Sequence, residues 1–375
     1  MIEDEFKYFC LSGDIPVGES STWHVTDWDQ RRVVSVTMDG EQDDDSIAIK
    51  HYSRYSSQLS RDIYRIHVSH TGEIISTYTD PENDPTCCVH YPFRHEVFLP
   101  EGIQTVRRDE LEELDRLGPD VDLVAYPPCL GGSAKKVVFK YYFLWQYAQW
   151  SWKEMNLWMR LPRHPNIVPF DRVVVDELEG RVVGFTNIYV PGGSLQQNQS
   201  RVFRLEWLQQ LIRVVDELNL RYGIAHQDIA PRNLVVDEST DSIMLFDFNF
   251  AARIHRPSPG EEWVKHPGVK LNHPVASYQL ILQEWRERRA GALYAAHPGD
   301  VPEAIDWPSM PKPPQKTETF MDAHGQASYM TVEDWDESRQ DVRDRGGKVL
   351  NWERPPQRLL DSGTRVLSTG EVINC

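Results

Sequence analysis

Short runs of residues with high strand propensity, separated by polar turns, dominate the first hundred residues of the chain. Turns such as Asp39-Gly40 and Thr71-Gly72 are typical of the connections between neighbouring strands. The runs span residues 32–38, 46–52, 62–68 and 73–78. The pattern therefore predicts a β-rich N-terminal module over residues 1–105, and no motif within it indicates a role.

Strand-like and helix-like periodicities alternate through the middle of the chain. Residues 107–117 have the pattern of a helix that Gly118 ends, and residues 146–161 that of a helix rich in Trp and Met. The clearest element is a helix at 205–220, where apolar residues recur every three or four positions. Further strands are predicted at 121–126, 135–143, 167–175, 181–189, 234–236 and 243–246, and a further helix at 275–289.

Proline dominates the region that follows. Five prolines between Pro302 and Pro314 predict a stiff, extended linker, and residues 331–345 predict one short capped helix. Residues 291–375 are therefore expected to be a proline-rich linker and a tail. Taken together, the pattern predicts an α+β fold.

The chain is acidic, with a formal net charge of −17 and a pI of about 5.2. This charge argues against nucleic acid or an anionic membrane as a partner. No run approaches the roughly 18 apolar residues of a membrane span, and the acidic start has no apolar signal core. Five cysteines in 375 residues do not form a disulfide framework. An intracellular protein, cytoplasmic or nuclear, is expected.

The richest chemistry lies between residues 224 and 251, where polar clusters follow short apolar runs. Phosphoryl transfer needs a carboxylate to orient the attacking hydroxyl and oxygen ligands to hold Mg²⁺ on the phosphates. Asp228 suits the first role, and Asn233 and Asp247 suit the second. The spacing of Asp228 and Asn233 lets both face one cluster of metal and phosphate.

This stretch resembles the catalytic loop of protein kinases, H-R-D-x-x-x-x-N, followed by their metal-binding motif D-F-G. The resemblance implies that Asp228 is the catalytic base and that Asn233 and Asp247 are Mg²⁺ ligands. Gln227 replaces the Arg that reads a phosphorylated activation loop in the family, so such control is not expected. Asn249 replaces the Gly of D-F-G, and Asn is the next best residue for a left-handed backbone.

Upstream residues extend the resemblance. Val137-Val138-Phe139-Lys140 is similar to the strand that carries the ATP-binding lysine, and Glu154 would be its ion-pair partner. The motif His164-Pro165-Asn166-Ile167-Val168 is a form common in kinases after that helix. Residues 189–195 resemble the hinge between kinase lobes, which implies that the Val190 backbone binds adenine and that Asn187 lies behind it. Leu234 is a further nucleotide-binding residue by the same resemblance, and ATP and Mg²⁺ are the implied cofactors.

The glycine-rich loop has two alternative locations. One is Gly118, 22 residues before Lys140, where Asp120 and Leu123 replace later glycines of the family pattern. The other is a shortened loop at residues 129–133, with Gly131 and Gly132 beside the phosphates. We favour the second because Gly118 has the pattern of a helix end.

The chain departs most from the family after Asp247. It has no Ala-Pro-Glu anchor, and only 27 residues separate Asp247 from the helix predicted to start at Val275. We expect the peptide platform and the central helix of the second lobe to be missing. Residues 250–274 should then be open or loosely packed.

The resemblance covers about residues 107–290 and is closest to a divergent kinase-like family common in filamentous fungi. It implies a bilobal fold with a small β-rich lobe at 106–190 and a mainly helical lobe at 191–290. Three functions remain open: a protein Ser/Thr kinase, a pseudokinase that binds nucleotide or acts as a scaffold, and a small-molecule phosphotransferase. The acceptor, whether protein or small molecule, is not indicated.

Overall fold

The computed structural model describes residues 2–127, 134–254, 270–291, 301–321 and 327–373 of the chain. Strands and helices mix throughout these residues, so the predicted α+β class is confirmed. No helix in these ranges is long and apolar enough to cross a membrane.

Strands are short and numerous in the described ranges. The first twelve are β1 (Tyr8–Asp14), β2 (Ser21–Asp27), β3 (Arg32–Met38), β4 (Arg65–Val68), β5 (Ile74–Tyr78), β6 (Cys87–Val89), β7 (Gln104–Arg107), β8 (Glu112–Gly118), β9 (Val121–Ala125), β10 (Lys136–Tyr141), β11 (Phe170–Val175) and β12 (Val182–Ile188). The others are β13 (Val202–Phe203), β14 (Ile224–Ala225), β15 (Leu234–Asp237), β16 (Ser242–Leu245), β17 (Ala252–Arg253), β18 (Lys270–Leu271), β19 (Gln315–Met321), β20 (Ala327–Glu333), β21 (Asp336–Ser338), β22 (Arg365–Leu367) and β23 (Val372–Ile373). The helices are α1 (Asp45–Tyr55), α2 (Ala148–Trp158), α3 (Leu205–Leu220), α4 (Val275–Gly291), α5 (Arg339–Asp344) and α6 (Gln357–Asp361).

The N-terminal residues form a sheet in which β1 to β5 are neighbours in chain order. The strand predicted at 46–52 is wrong, because these residues belong to helix α1. Strands β3 and β4 pair in parallel, so the chain needs a crossover between them, and α1 supplies it. Asp44 caps the helix by accepting a hydrogen bond from the Ser46 amide.

A second sheet follows the order β23-β22-β8-β9-β10-β12-β11-β7 within the described residues. It includes β7, which begins before residue 106, and β22 and β23 from beyond residue 290. The three predicted segments of the chain therefore share one sheet. The domain boundaries at 105 and 290 stay a prediction.

The helix predicted at 107–117 is wrong. Residues 108–110 form one short turn, and β8 follows. The residue pattern does not indicate a strand here, because the side chains that β8 buries are those of Glu113 and Arg116.

These charged side chains belong to a fully buried ion cluster beneath the sheet. Arg31 binds Glu113 and Asp122, each at 3.1 Å, and Arg116 binds Asp122 at 2.7 Å. Arg354 from the tail binds Glu113 at 2.8 Å. Burial raises the pKa of Asp122 to about 6. Breaking such a pair would leave a buried charge without a partner. The cluster therefore holds the N-terminal module and the tail against the second sheet.

Helices α3 and α4 confirm the predictions at 205–220 and 275–289. They pack together through Asp216 of α3, which accepts hydrogen bonds from Trp285 at 2.9 Å and Arg289 at 3.0 Å. Of the segment 250–274, which we predicted to be open, residues 255–269 lie outside the described ranges. Ala251 is fully buried, and the Ile254 amide donates to the Gly223 carbonyl, so the start of the segment is packed.

The region after residue 300 differs from the prediction in two ways. Val301 and Met310 are buried, so the proline-rich residues between them lie against the protein instead of forming a free linker. The helix predicted at 331–345 is reduced to α5, because β20 and β21 take its first half. Ser338 ends this strand region and caps α5.

Candidate functional site

A cavity of about 500 Å³ lies between the β8–β9 turn, strand β10 and the loops that precede β15 and follow β16. Its volume falls within the range of small-molecule sites. Several of the residues singled out from the sequence line it together, among them Lys140, Val190, Asn233 and Asp247. Residues far apart in the chain therefore meet at one place.

Lys140 reaches the cavity from the centre of the second sheet. On β10 it pairs with Val121 of β9 and Phe185 of β12. A Cβ atom at the neighbouring Gly184 would lie 2.2 Å from the Lys140 carbonyl oxygen, so only glycine fits there. The strand position of Lys140 is thus fixed on both sides.

Two carboxylates hold the Lys140 ammonium group. Its Nζ lies 2.7 Å from Oε1 of Glu154 on α2 and 2.6 Å from Oδ1 of Asp247. The predicted pairing of Lys140 with Glu154 is present. Glu154 Oε1 also accepts a hydrogen bond of 3.0 Å from the Phe248 amide. Helix α2, strand β10 and the segment after β16 therefore converge on one carboxylate.

Lys140, Glu154 and Asp247 have pKa values shifted by burial and by one another. Burial opposes the charge on Lys140, but Asp247 and Glu154 outweigh it and raise the lysine pKa. Burial likewise raises the pKa of Glu154, to about 8, despite the attraction of Lys140. Burial also opposes the charge on Asp247, but Lys140 outweighs it and lowers the pKa of this carboxyl. Burial thus disfavours the charge on Glu154, while Lys140 favours the charge on Asp247.

The loop before β15 is organised around His226. Its Nε2 lies 3.0 Å from the Phe246 carbonyl, and its Nδ1 lies 3.3 Å from the Asp228 amide nitrogen. Since the amide must donate to Nδ1, the ring proton belongs on Nε2. Burial lowers the pKa of His226, which keeps the imidazole neutral in this role.

Asp228 and Asn233 are bound to each other. The Asn233 side-chain nitrogen donates to Asp228 Oδ2 at 2.7 Å and to the Asp228 carbonyl at 2.8 Å. Arg232 contacts the other carboxylate oxygen of Asp228. Since the Asn233 nitrogen is used in this way, its amide oxygen is the atom that a cation would bind.

Two residues at or next to the candidate site have a strained backbone. Gln227 has φ of 65° and Asp247 has φ of 67°, in the left-handed region that residues other than glycine rarely adopt. Such strain concentrates at functional sites, because the surrounding structure must hold it. Asn249 is not among the residues with positive φ in the described chain, so the left-handed backbone expected there is wrong.

The β8–β9 turn forms the upper wall of the cavity. Gly118 and Pro119 line it, and the Tyr141 amide donates to the Asp120 carbonyl at 3.1 Å. Gly118 therefore ends a strand above the cavity, and its interpretation as a helix end is wrong. Gly131 and Gly132 lie outside the described residues.

Asp120 brings a further carboxyl group close to Lys140. Burial and the charge of Asp247 raise its pKa, while Lys140 acts in the opposite direction. Asp120 also lines a neighbouring cavity of about 860 Å³ that shares Lys140 and Asp247 with the first. The turn thus places a further carboxyl group beside Lys140.

The remaining wall comes from the segment between β12 and β15. Val190 is half-buried at the cavity. Asn187 is 2% exposed, and its Oδ1 has no hydrogen-bond partner in the described ranges. Leu234 is 1% exposed, and the neighbouring Val235 lines the cavity in its place.

Sequence reasoning missed one contributor. Ile2, Glu3 and Phe6 of the N-terminal segment line the cavity, and Ile2 is 3% exposed. Nothing in the local pattern around residue 2 signals this, because the contact depends on how the first sheet docks on the second.

The residues fit a magnesium ion that also binds phosphate. Among the described residues, no group of three or more His, Cys, Asp or Glu could hold a metal by itself. Magnesium, however, is usually bound by one or two carboxylates together with substrate phosphates and water. The Asp247 carboxylate and the Asn233 amide oxygen are donors of this kind.

Comparison with family models finds no match for this chain. Plant kinases match a part of it. CBL-interacting protein kinase 12 of Oryza sativa subsp. japonica is 36% identical over 105 residues, 27% of this chain and 18% of that protein. CBL-interacting serine/threonine-protein kinase 5 of Arabidopsis thaliana is 35% identical over 99 residues, 25% of this chain and 21% of that protein.

This chain spans about a fifth of the length of these curated relatives. These comparisons do not show the resemblance to a fungal family that the sequence suggested. The matches connect about a quarter of the chain to the protein kinase superfamily, and to no narrower group within it.

Proposed function

We propose that this chain is an ATP- and Mg²⁺-dependent phosphotransferase of the protein-kinase type. One observation carries the proposal: Lys140, Glu154 and Asp247 form a bonded triad beside the bonded pair of Asp228 and Asn233. Their order along the chain and their chemistry match the parts that phosphoryl transfer needs. The partial likeness to plant kinases agrees with it.

In this proposal each polar group has one role. Lys140 binds the α- and β-phosphates, and Glu154 holds the lysine in place. Asp247 and Asn233 bind the Mg²⁺ ion, which neutralises phosphate charge during transfer. Asp228 accepts the proton of the acceptor hydroxyl. Arg232 is exposed and pairs with Asp228 at the surface, so an acceptor can displace it.

The fold proposed for this activity is bilobal. Strands β8 to β12 and helix α2 form the small lobe at 106–190, and the loops around β15 with α3 and α4 form the larger lobe at 191–290. The segment after β12, with Val190, forms the hinge and one wall of the adenine site. Gly192 and Gly193, with φ of 96° and 71°, let the chain turn there.

A binding module with little turnover is the second candidate, and two observations favour it. Asp120 places a further carboxyl group close to Lys140, and the apolar side chain of Ile2 lines the cavity. Both features weaken nucleotide binding. The acceptor is proposed only by its class: a Ser or Thr side chain of a protein, or a small molecule.

A transfer assay separates the two candidates. Purified protein is given ATP labelled at the γ-phosphate, Mg²⁺, and panels of protein and small-molecule acceptors. Asp228→Asn should abolish transfer while leaving nucleotide affinity within about twofold, because a base acts on the acceptor. Asp241→Asn, an exposed residue of the β15–β16 hairpin that pairs with Arg204, is the control and should keep wild-type activity.

Transfer by the Asp228→Asn variant at the wild-type rate would remove Asp228 from the mechanism. No transfer to any acceptor, whether or not nucleotide binds, would favour the second candidate, a pseudokinase that binds nucleotide or acts as a scaffold.

A further inference from the structure

Residues 301–310, called here the proline-rich segment, contact three elements around the proposed site. The segment begins at the buried Val301 and ends at the buried Met310. Between them it touches helix α2, strand β17 and the end of helix α3. The sequence alone predicted a stiff, extended linker here, so these contacts need a physical account.

The contact with α2 is a buried hydrogen bond. The indole nitrogen of Trp152 donates to the Pro308 carbonyl at 2.9 Å, and Trp152 is 4% exposed. A buried indole N–H without a partner is costly, so this bond holds α2 against the segment. Trp152 stands two residues before Glu154 on the same helix.

The second contact is with β17, which follows Asp247 in the chain. The Arg253 guanidinium pairs with Asp306, donates to the Trp307 carbonyl at 3.1 Å and lies 4.3 Å from the centre of the Trp307 ring. Strand β17 in turn pairs with β14, which directly precedes His226. The segment therefore reaches the chain on both sides of the proposed catalytic loop.

The contact with α3 anchors the segment. The Glu303 amide donates to the Arg221 carbonyl at 3.0 Å, and the Ile305 amide donates to the Tyr222 carbonyl at 3.1 Å. An ion pair of 2.9 Å between Arg221 and Glu303 adds to these bonds. Since α3 belongs to the main hydrophobic core, the segment is fixed at this end.

We propose that the proline-rich segment is a clamp that positions Glu154 for its contacts with Lys140 and Phe248. Trp152 is the positioning residue on α2, and Arg253 is the positioning residue on β17, which follows Asp247 in the chain. Displacement of α2 would pull Glu154 away from the Lys140 ammonium and the Phe248 amide together, because both bind Oε1.

The Phe248 amide donates to Glu154, so its exchange rate reports the position of Glu154. Hydrogen exchange with residue-level resolution measures this rate. Trp152→Phe keeps an aromatic ring but removes the donor to Pro308. We expect the Phe248 amide to exchange about fivefold faster, the factor that the net value of one hydrogen bond implies. Amides in the middle of α3, such as that of Leu211, should be unchanged.

Trp207→Phe is the matched control, because Trp207 is also a buried tryptophan whose indole donates to the protein, but it does not contact the segment. It should leave Phe248 exchange at the wild-type rate. Asp306→Asn is a second variant that cannot unfold the core, since the Asp306 side chain is exposed. It removes one charge of the Arg253 pair and should raise Phe248 exchange by about twofold, as for a surface pair.

Wild-type exchange at Phe248 in both Trp152→Phe and Asp306→Asn would overturn the clamp. Equal acceleration at Phe248 and Leu211 would also overturn it, because that pattern is general destabilisation. The effect of the clamp on nucleotide affinity rests on the proposed function, and Trp152→Phe should weaken binding of an ATP analogue with Mg²⁺ about fivefold. A wild-type protein that binds no nucleotide would refute the function and leave the exchange result standing.

Discussion

The ammonium nitrogen of Lys140 lies 2.6 Å from Oδ1 of Asp247, a residue 107 positions further along the chain. A strand of the second sheet and the segment after β16 are thereby joined at the cavity. In the proposed function, the phosphates of a nucleotide would share the lysine with Asp247, while a cation would compensate the carboxylate.

Lys140→Met should weaken binding of an ATP analogue by more than about tenfold, because it removes the only positive charge of the triad from a low-dielectric site. Isothermal titration calorimetry measures the affinity. Lys135→Met is the control, since Lys135 is about half-exposed and pairs with Asp171 outside the triad. Equal affinities of the wild type and Lys140→Met would exclude Lys140 from phosphate binding.

Glu154 gives a prediction about pH. Its folded-state pKa of about 8 lies above the ordinary value of 4.5, mainly because of burial. The folded protein therefore holds this proton more tightly than the unfolded chain does. The stabilising effect is full below pH 4.5 and is lost as the pH rises towards 8, by at most about 1.4 kcal/mol per pH unit.

Glu154→Gln should remove this dependence, since glutamine does not titrate. Urea unfolding at several pH values between 5 and 8 measures it. The difference between the free energies of unfolding of wild type and variant should fall as the pH rises. Glu206→Gln, an exposed change on α3, should show no such trend. A difference that grows with pH would mean that Glu154 is charged in the folded state.

The motifs around the cavity could be predicted from the sequence because each is local. Strand β10, helix α3 and the β15–β16 hairpin have regular periodicities, and Lys140 on β10 and Asn233 just before β15 line one cavity. The pairing of Lys140 with Glu154 follows from a strand and a helix that are close in sequence.

Three features could not be predicted, for physical reasons. Strand β8 buries Glu113 and Arg116, so its hydrophobic pattern gives no sign of a strand. The burial of Ile2 and the packing of the proline-rich segment depend on contacts between distant parts of the chain. The left-handed backbone of Asp247 is imposed by its surroundings, because aspartate has no strong preference for it.

Asp120→Asn should tighten binding of the ATP analogue by about three- to tenfold, because it removes a carboxyl group beside Lys140 that competes with phosphate. The side chains have nearly the same shape, so the turn should be retained. Asp115→Asn, a change on β8 at a residue that does not line the cavity, serves as a control. Weaker binding by Asp120→Asn would indicate that Asp120 itself helps to hold a cation.

Ile2→Asp tests the N-terminal segment. A charged side chain cannot remain buried without a partner, so the segment should leave the cavity and make room for nucleotide. We expect affinity for the ATP analogue to rise by about fivefold or more, as lost apolar burial implies. Val17→Asp, at a residue that is 90% exposed, should have no effect. Weaker binding by Ile2→Asp would show that Ile2 forms a wall of the nucleotide site.

The most direct test is calorimetric titration of the wild-type protein with a non-hydrolysable ATP analogue, with Mg²⁺ and then with excess chelator. If Asp247 and Asn233 share a cation with the phosphates, Mg²⁺ should tighten binding by at least about tenfold. Asp247→Asn should lose most of that gain while retaining the weaker, metal-free binding. No binding in either condition, or the same affinity with and without Mg²⁺, would contradict the assignment of this cavity as a site for nucleotide and magnesium.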